Sequence, residues 1–291
     1  MSLKICMVMI NRGRYANSTV NLISEMIRRS DDIICVLGES DSQEKAIGLD
    51  GRKVLGDIIK VSGRSDYQII ASEDDRVGTN ALVFGDLKVS SYRWKCINLN
   101  NLKHPQSSSE RYRHYRLQLQ IKLGKELVTL LGVNNICILA QHQSAFIRPI
   151  SRYKQARGIF RTFRKLDKKD CLSFILRDQN SFIPGEGFLE RQLRKRYGMC
   201  DLTKRFKNTY KAANIETDQN DFMHKFVSKV YNNGWGRIIA KLVTNTDKID
   251  SILGEKEFVR DYIFDSFDVD LPYLDHDLMG VEIFKKREKL V

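Results

Sequence analysis

The chain has 291 residues, of which 42% are hydrophobic and 29% are charged, and its formal net charge is +13. This composition is typical of a globular protein and excludes an intrinsically disordered chain. No apolar run approaches the roughly 20 residues that cross a bilayer. The sequence contains no C-x-x-C pair, so neither a zinc site nor a disulfide framework is predicted. We therefore expect a cytoplasmic protein whose six cysteines are mostly buried free thiols.

The first predicted elements form a strand–turn–helix–strand unit. A strand is predicted at residues 4–10, because residues 5–10 are continuously apolar, as in a strand that is buried on both faces. A polar turn with Gly13 comes before a helix that runs from Asn17 to the cations Arg28 and Arg29. Residues 33–37 form the second strand. This order predicts a right-handed crossover and a parallel strand pair, as in α/β proteins that bind nucleotides.

The middle of the chain continues this α/β pattern. Short strands are predicted at residues 67–71, 81–84 and 94–99. A long amphipathic helix is predicted at residues 110–131, because Leu119, Leu123 and Leu127 fall near helical spacing and Gly132 follows. Residues 135–140 then form a buried strand that runs into Gln141 and His142.

The last third of the chain is predicted to be mainly helical. Helices are expected at residues 152–164, 188–197 and 202–211, with a strand at 172–176 and helical periodicity from residue 218. The predicted fold is therefore a mostly parallel, Rossmann-like sheet flanked by helices, followed by a helical C-terminal extension. We place the nucleotide-binding domain at residues 1–215 and the extension at residues 216–291.

Basic residues concentrate between residues 148 and 205, whereas residues 247–277 are acidic. A strongly positive surface attracts polyanions such as nucleic acid, although basic residues also keep a chain soluble. The predicted residues for binding an acceptor or polyanion are Arg148, Arg152, Arg157, Arg161 and Arg164. The acidic segment lacks the spacing of a calcium-binding EF-hand, so Asp275 and Asp277 are predicted to lie on a charged surface.

Two common nucleotide-binding motifs are absent from the sequence. The turn after the first strand has neither the G-x-G-x-x-G pattern of dinucleotide-binding proteins nor the G-x-x-x-x-G-K-[ST] pattern of a P-loop. Both motifs bring glycine amides close to phosphate groups. Their absence argues against a dehydrogenase and against a P-loop nucleotidase.

The order of elements resembles the family-2-like glycosyltransferases of the GT-A fold. The resemblance lies in the strand that ends at Asn11 and Arg12, and in the second strand that ends at Gly38-Glu39-Ser40-Asp41. The segments at residues 185–190 and 197–205 are similar to two further motifs of that family. The match covers roughly residues 4–210 and consists of short motifs in a shared order.

The resemblance implies a site for a UDP- or GDP-linked sugar and a set of acid/base groups. The nucleotide-binding residues that it implies are Asn11, Arg12, Glu39, Asp41, Arg113 and Arg116. Asp201 matches a retained motif position, and Glu186 and Glu190 are the other acid/base candidates beside it.

Two positions depart from the family pattern. Ala140-Gln141-His142-Gln143 stands where the family has its metal-binding Asp-x-Asp, so that only His142 is left as a metal ligand or, alternatively, as a structural histidine. Gly198 and Met199 stand where the family has Glu-Asp. Three explanations stay open: an enzyme that works without a divalent metal, a degenerate enzyme, or a fortuitous resemblance.

Two functions follow as hypotheses. The first is a glycosyltransferase that moves a sugar from a nucleotide sugar to an acceptor, which includes a modified base in DNA. The second is a non-catalytic, basic nucleic-acid-binding protein on a degenerate transferase fold. Strongly salt-dependent binding without turnover of nucleotide sugars favours the second.

Overall fold

The computed structural model describes residues 2–9, 16–28, 33–38, 51–70, 79–84, 89–98, 115–142, 149–165, 170–178, 186–206, 250–269 and 278–286. In these ranges the strands are β1 (Leu3–Met9), β2 (Ile33–Gly38), β3 (Tyr67–Ile70), β4 (Thr79–Phe84), β5 (Val89–Asn98), β6 (Tyr115–Leu123), β7 (Asn135–His142), β8 (Cys171–Asp178), β9 (Met199–Asp201), β10 (Asp250–Glu255), β11 (Tyr262–Val269) and β12 (Leu278–Lys285). The helices are α1 (Ala16–Arg28), α2 (Gly51–Ser62), α3 (Lys125–Leu131), α4 (Pro149–Arg164), α5 (Glu186–Arg196) and α6 (Phe258–Asp261). No helix in these ranges has the length and apolar character needed to cross a membrane.

The strands form two mixed sheets. The first sheet has the order β11-β12-β1-β2-β4-β3, and the second has the order β5-β6-β7-β8-β10-β9. Among the strand pairs that the structure describes, only β1–β2 and β7–β8 are parallel. The prediction of a mostly parallel, Rossmann-like sheet is therefore wrong. Parallel neighbours need a long crossover, and such crossovers through α1 and α4 join only these two pairs.

The two sheets pack face to face around one apolar core. That core takes Ile5 and Val281 from the first sheet and Ile138 and Phe174 from the second. The ring of Phe174 meets that of Phe264 edge to face, with 6.2 Å between the ring centres. Two sheets that share one core in this way form a sandwich.

Helices cover the outer faces of the sandwich. On the second sheet, a smaller cluster joins Ile159 and Phe160 of α4 and Leu193 of α5 to Leu139 and Ile175 of the strands. Leu139 and Ile175 alternate along their strands with Ile138 and Phe174, which face the central core. The second sheet is therefore buried on both faces, which explains its apolar central strands.

Residues 115–131 are a strand and a short helix, so the prediction of a single helix at 110–131 is wrong for this part. Leu119, Ile121 and Leu123 of β6 are buried and alternate with polar residues, which is the two-residue period of a strand. Leu119 and Leu123 are also four residues apart, so they fit a helical pattern equally well. Gly124 separates β6 from α3, and α3 ends at Gly132, whose φ of 69° is left-handed.

The described C-terminal residues form strands, not the predicted helical extension. β10 pairs with β8 and β9 inside the second sheet, and β12 lies between β11 and β1 in the first. Residues 202–206 form turns after β9 instead of the start of a predicted helix. The predicted domain boundary near residue 215 lies outside the described residues and stays a prediction.

Candidate functional site

A row of titratable residues crosses the end of the second sheet. Asp178 is the last residue of β8. Its backbone pairs in register with that of His142, the last residue of β7, and on the other side with that of Asp250, the first residue of β10. The register thus brings two carboxylate residues and a histidine to neighbouring strand ends. We refer to these three residues as the Asp178 row.

The side chain of Asp178 is fully buried, with 0% exposure. Along β8 it alternates with Arg177 and therefore lies on the same face as Phe174 and Leu176, which belong to the core between the sheets. Carboxylates are rarely buried to this extent unless they are paired, hydrogen-bonded or bound to a metal. The end of the sandwich core at Asp178 is therefore polar.

A second polar row lies one residue further back, on the helix-covered face. Gln141 of β7 pairs in register with Arg177 of β8, and Arg177 pairs with Ser251 of β10. Arg177 is fully buried, and its guanidinium carbon lies 5.9 Å from the centre of the Phe160 ring. Gln141 is also buried, and neither polar atom of its amide has a hydrogen-bond partner among the described residues. A buried cation thus adjoins the Asp178 row in the sequence and in the sheet.

Strand ends also meet in the first sheet. Met9 at the end of β1 pairs with Gly38 at the end of β2, and Met279 near the start of β12 pairs with Met7. Asn11 and Glu39 follow these strand ends in the sequence, and Asp275 and His276 precede β12. These four residues lie outside the described residues, so their connection to the site is a matter of sequence position alone.

Most of the predicted nucleotide-binding residues lie outside the described residues: Asn11, Arg12, Glu39, Asp41 and Arg113. Arg116 lies in β6, where its backbone pairs with that of Gln141. It therefore belongs to a strand of the second sheet and not to the start of a long helix.

The predicted acid/base residues belong to β9 and α5. Asp201 lies in β9 opposite Leu253, three residues along β10 from Asp250. Its carboxylate accepts hydrogen bonds from the backbone N–H of Thr203 at 3.0 Å and from the Thr203 hydroxyl at 2.9 Å, and it pairs with Arg194 at 3.3 Å. Glu186 and Glu190 lie in α5. The ion pair with Arg194 joins β9 to α5, and the acid/base role of these three residues stays a prediction.

The predicted polyanion-binding residues fall largely on one helix. Arg152, Arg157, Arg161 and Arg164 belong to α4, and Arg148 lies just before the described part of it. α4 follows β7 in the sequence, so its first turn comes soon after His142.

The sequence patterns did not single out Asp178 or Asp250. The available signal was a carboxylate at the end of a buried strand, Asp178, with Asn180 two residues later. Among the residues that the structure describes, no group of three or more His, Cys, Asp or Glu side chains is close enough to hold a metal ion. The backbone of His142, the predicted metal ligand, pairs in register with that of Asp178, and its role as a ligand stays a prediction.

Comparison with known proteins identifies the fold. No protein-family model matches the sequence, and no curated protein matches it. Solved structures match along nearly the whole chain. An endonuclease/exonuclease/phosphatase family protein from Bacteroides thetaiotaomicron is 13% identical, with a TM-score of 0.60 and 99% of each chain covered.

Two further structures match in the same way. The mannosyl-6-phosphatase of Bacteroides thetaiotaomicron VPI-5482 is 14% identical, with a TM-score of 0.61, and the match covers 97% of this chain and 99% of that one. D. rerio TDP2, complexed with a single-strand DNA product, is 12% identical, with a TM-score of 0.60, and the match covers 97% and 98%. At these identities the comparison shows the fold.

The resemblance to GT-A glycosyltransferases is therefore wrong. The predictions of sugar transfer and of a UDP- or GDP-sugar donor, which depended on it, are wrong as well. The alternative of a non-catalytic protein on a degenerate transferase fold fails for the same reason. The order of β1, α1 and β2 is the one that the resemblance to a GT-A fold also implied, so the first elements of the chain did not separate the two folds. The chain has the mixed-sheet sandwich fold of endonuclease/exonuclease/phosphatase proteins.

Proposed function

We propose that this protein hydrolyses phosphoesters, either a phosphodiester or a phosphate monoester. The observation that carries the proposal is the fully buried carboxylate of Asp178, set between His142 and Asp250 at the end of the second sheet. The fold supports it, because the solved structures that share the fold include a phosphatase and a TDP2 bound to a DNA product.

The residue types in the Asp178 row suit this chemistry. Hydrolysis of a phosphoester forms a bond from phosphorus to the oxygen of water and breaks the bond from phosphorus to the leaving oxygen. A proton leaves the attacking water, and a proton is supplied to the leaving oxygen. Carboxylate and imidazole groups are the usual acceptors and donors of such protons.

The carboxylate of Asp178 also fits a divalent cation. Mg²⁺ and Mn²⁺ prefer carboxylate oxygens, and buried carboxylates such as that of Asp178 are typically paired or bound to a metal. Asp178 would hold the ion, and the backbone register places the residues Asp250 and His142 on the neighbouring strands. When bound, such an ion supplies positive charge against a phosphoryl oxygen and lowers the pKa of a water ligand.

The test is the hydrolysis of bis-p-nitrophenyl phosphate and p-nitrophenyl phosphate with Mg²⁺ or Mn²⁺ present. We expect release of p-nitrophenol from one of them. Replacing Asp178 with asparagine keeps the volume and removes the charge, so Asp178→Asn is expected to lower kcat/KM by about 10²- to 10⁴-fold.

Two controls make this test specific. Asp201→Asn removes a carboxylate that contacts Arg194 and Thr203 and lies outside the row, so it should leave the rate within about threefold of the parent, provided that the far-UV circular dichroism is unchanged. A folded parent protein that hydrolyses neither ester with either ion would contradict the proposal. So would an Asp178→Asn variant that is as active as the parent.

A further inference from the structure

α4 carries a cationic stripe on its solvent side. Lys154, Arg157, Arg161, Arg164 and Lys165 are exposed or half-buried and recur at helical spacing. Ala156, Ile159, Phe160 and Phe163 occupy the opposite side and pack against the second sheet. The sequence from 149 to 165 contains no acidic residue. Because the apolar side of α4 packs against the second sheet, the basic side faces solvent.

The end of α5 extends this stripe. Lys195 and Arg196 are exposed in its last turn. Arg164 donates a hydrogen bond from Nη2 to the carbonyl oxygen of Arg196 at 3.4 Å, and its guanidinium carbon lies 4.6 Å from the centre of the Tyr197 ring. Tyr197 in turn stacks on Phe160, with 5.3 Å between the ring centres. Arg164 is thus held where the two helices meet.

We define the α4–α5 basic surface as Arg157, Arg161, Arg164, Lys165, Lys195 and Arg196. In the described part of the chain, none of these six cations lies within 4 Å of a carboxylate. Arg194, by contrast, points to Asp201 and is neutralised. Cations at a helix C-terminus are favoured by the helix dipole, which accounts for Lys195 and Arg196 in α5 and for Arg161 and Arg164 in the last turn of α4. The dipole does not account for Arg157 in the middle of α4.

We propose that the α4–α5 basic surface binds the phosphate backbone of a nucleic acid strand. Because α4 returns from the end of β7 to the start of β8, Arg164 and Lys165 lie toward the end of the second sheet opposite Asp178, so this surface is separate from the proposed active site. Arginine predominates on the surface, and its planar guanidinium binds phosphate in two-point contacts. From Lys154 to Lys165 the stripe is about 16 Å long at 1.5 Å per residue, enough to meet several phosphates.

The surface does not have the character of a membrane-binding helix. Helices that lie on membranes insert large apolar side chains between the lipids. The exposed large apolar residues in the described part of the chain are Val61, Val259 and Ile263, and none of them belongs to α4 or α5. A polyanion without a lipid phase therefore fits this surface better.

The test compares two charge-reversal variants of the full chain. The first changes Arg161, Arg164 and Lys195 to Glu. The matched control changes Lys60, Lys125 and Lys285 to Glu, which alters the net charge equally at exposed positions elsewhere. Affinity for a fluorescent single-stranded DNA and RNA oligonucleotide is measured by anisotropy over a range of salt concentrations, with circular dichroism to check folding.

The surface variant should bind about tenfold or more weakly, and the slope of log K against log salt should fall by about 2, since three cations each contribute about 0.7. The control should bind within about threefold of the parent with the same slope. Equal losses in the two variants would overturn the proposal, because the field of net charge alone would then explain binding. Binding of the parent to phosphatidylserine vesicles but not to the oligonucleotide would also overturn it.

Hydrolysis of bis-p-nitrophenyl phosphate separates this proposal from the proposed function. Arg161, Arg164 and Lys195 lie away from the Asp178 row, so the surface variant should cleave this small ester at the parent rate. If the parent binds the oligonucleotide through this surface but cleaves no ester, the binding proposal stands and the hydrolase proposal is refuted.

Discussion

Tyr262 ties the start of β11 to the end of α3. Its hydroxyl donates a hydrogen bond to the carbonyl oxygen of Leu131 at 2.6 Å, and its ring meets that of Phe258 edge to face. Burial, with the nearby Asp261 carboxylate, raises the pKa of the Tyr262 hydroxyl. The neutral hydroxyl is therefore the form that the folded protein stabilises.

We predict that Tyr262→Phe lowers the free energy of unfolding by about 0.5–1.5 kcal/mol near neutral pH, because one buried hydrogen bond is lost. The contribution has a defined pH dependence. Since the folded-state pKa is raised, the stabilisation is complete below the unfolded pKa of about 10 and is lost as the pH rises through the folded-state value.

Urea unfolding of the parent and of Tyr262→Phe at pH 7, 9 and 10.5 measures this difference. The difference in free energy of unfolding between the two proteins should be constant up to pH 9 and smaller at pH 10.5. If this difference is absent at pH 7, or grows with pH, the assigned hydrogen bond is contradicted.

Asp178 shows why the candidate site was not found from the sequence. His142, Asp178 and Asp250 are far apart along the chain, and no short motif relates them. They become neighbours only through the register of β7, β8 and β10. The local spacing of residues in the sequence does not reveal that register. The predicted sites therefore followed short motifs, such as the one around Asp201, whose role stays a prediction.

At the scale of elements, the reliable predictions were those whose apolar runs allowed one interpretation. β1, β2, β7 and β8 are short, continuous apolar runs, and they appear where the sequence predicted strands. β6 was misassigned because Leu119 and Leu123 satisfy two periods. The strands β10 and β12 were missed because their partners, β8 and β1, lie far away in the sequence, and pairing with them determines the conformation.

Gly280 in β12 provides a test of packing between two paired strands. It lies opposite Phe267 of β11, and a Cβ atom at Gly280 would overlap with the Phe267 ring. Gly280→Ala should therefore lower the free energy of unfolding by about 1–3 kcal/mol. Gly56→Ala is the control, because Gly56 lies in α2 and no described atom comes within 4 Å of the place that its new methyl group would take. This change should stabilise the protein by about 0.5–1 kcal/mol.

A double variant identifies the cause of the Gly280 effect. Adding Phe267→Leu to Gly280→Ala makes room for the new methyl group, so the two changes together should destabilise by less than their sum. Strict additivity in denaturant unfolding would show that the ring does not limit this position.

At the scale of the whole molecule, the two termini meet in one sheet. Leu3 of β1 pairs with Ile283 of β12, and β12 joins β1 to β11. A chain that ends at residue 277 lacks β12, so the first sheet loses the strand between β1 and β11. We predict that this truncation abolishes cooperative unfolding.

A chain that ends at residue 286 is the control, since it keeps all of β12. Thermal melts followed by circular dichroism should show one cooperative transition for the control and none for the shorter chain. A shorter chain that melts cooperatively at the same temperature would show that β12 is dispensable.

The meeting of β1 and β12 also has a consequence for biosynthesis. β1 precedes its antiparallel neighbour β12 by most of the described chain, so β1 is translated long before β12. Until then one edge of an apolar strand has no partner, and exposed edges of this kind aggregate. The first sheet is therefore completed only once β12 has been translated, and we expect the edge of β1 to be prone to aggregation up to that point.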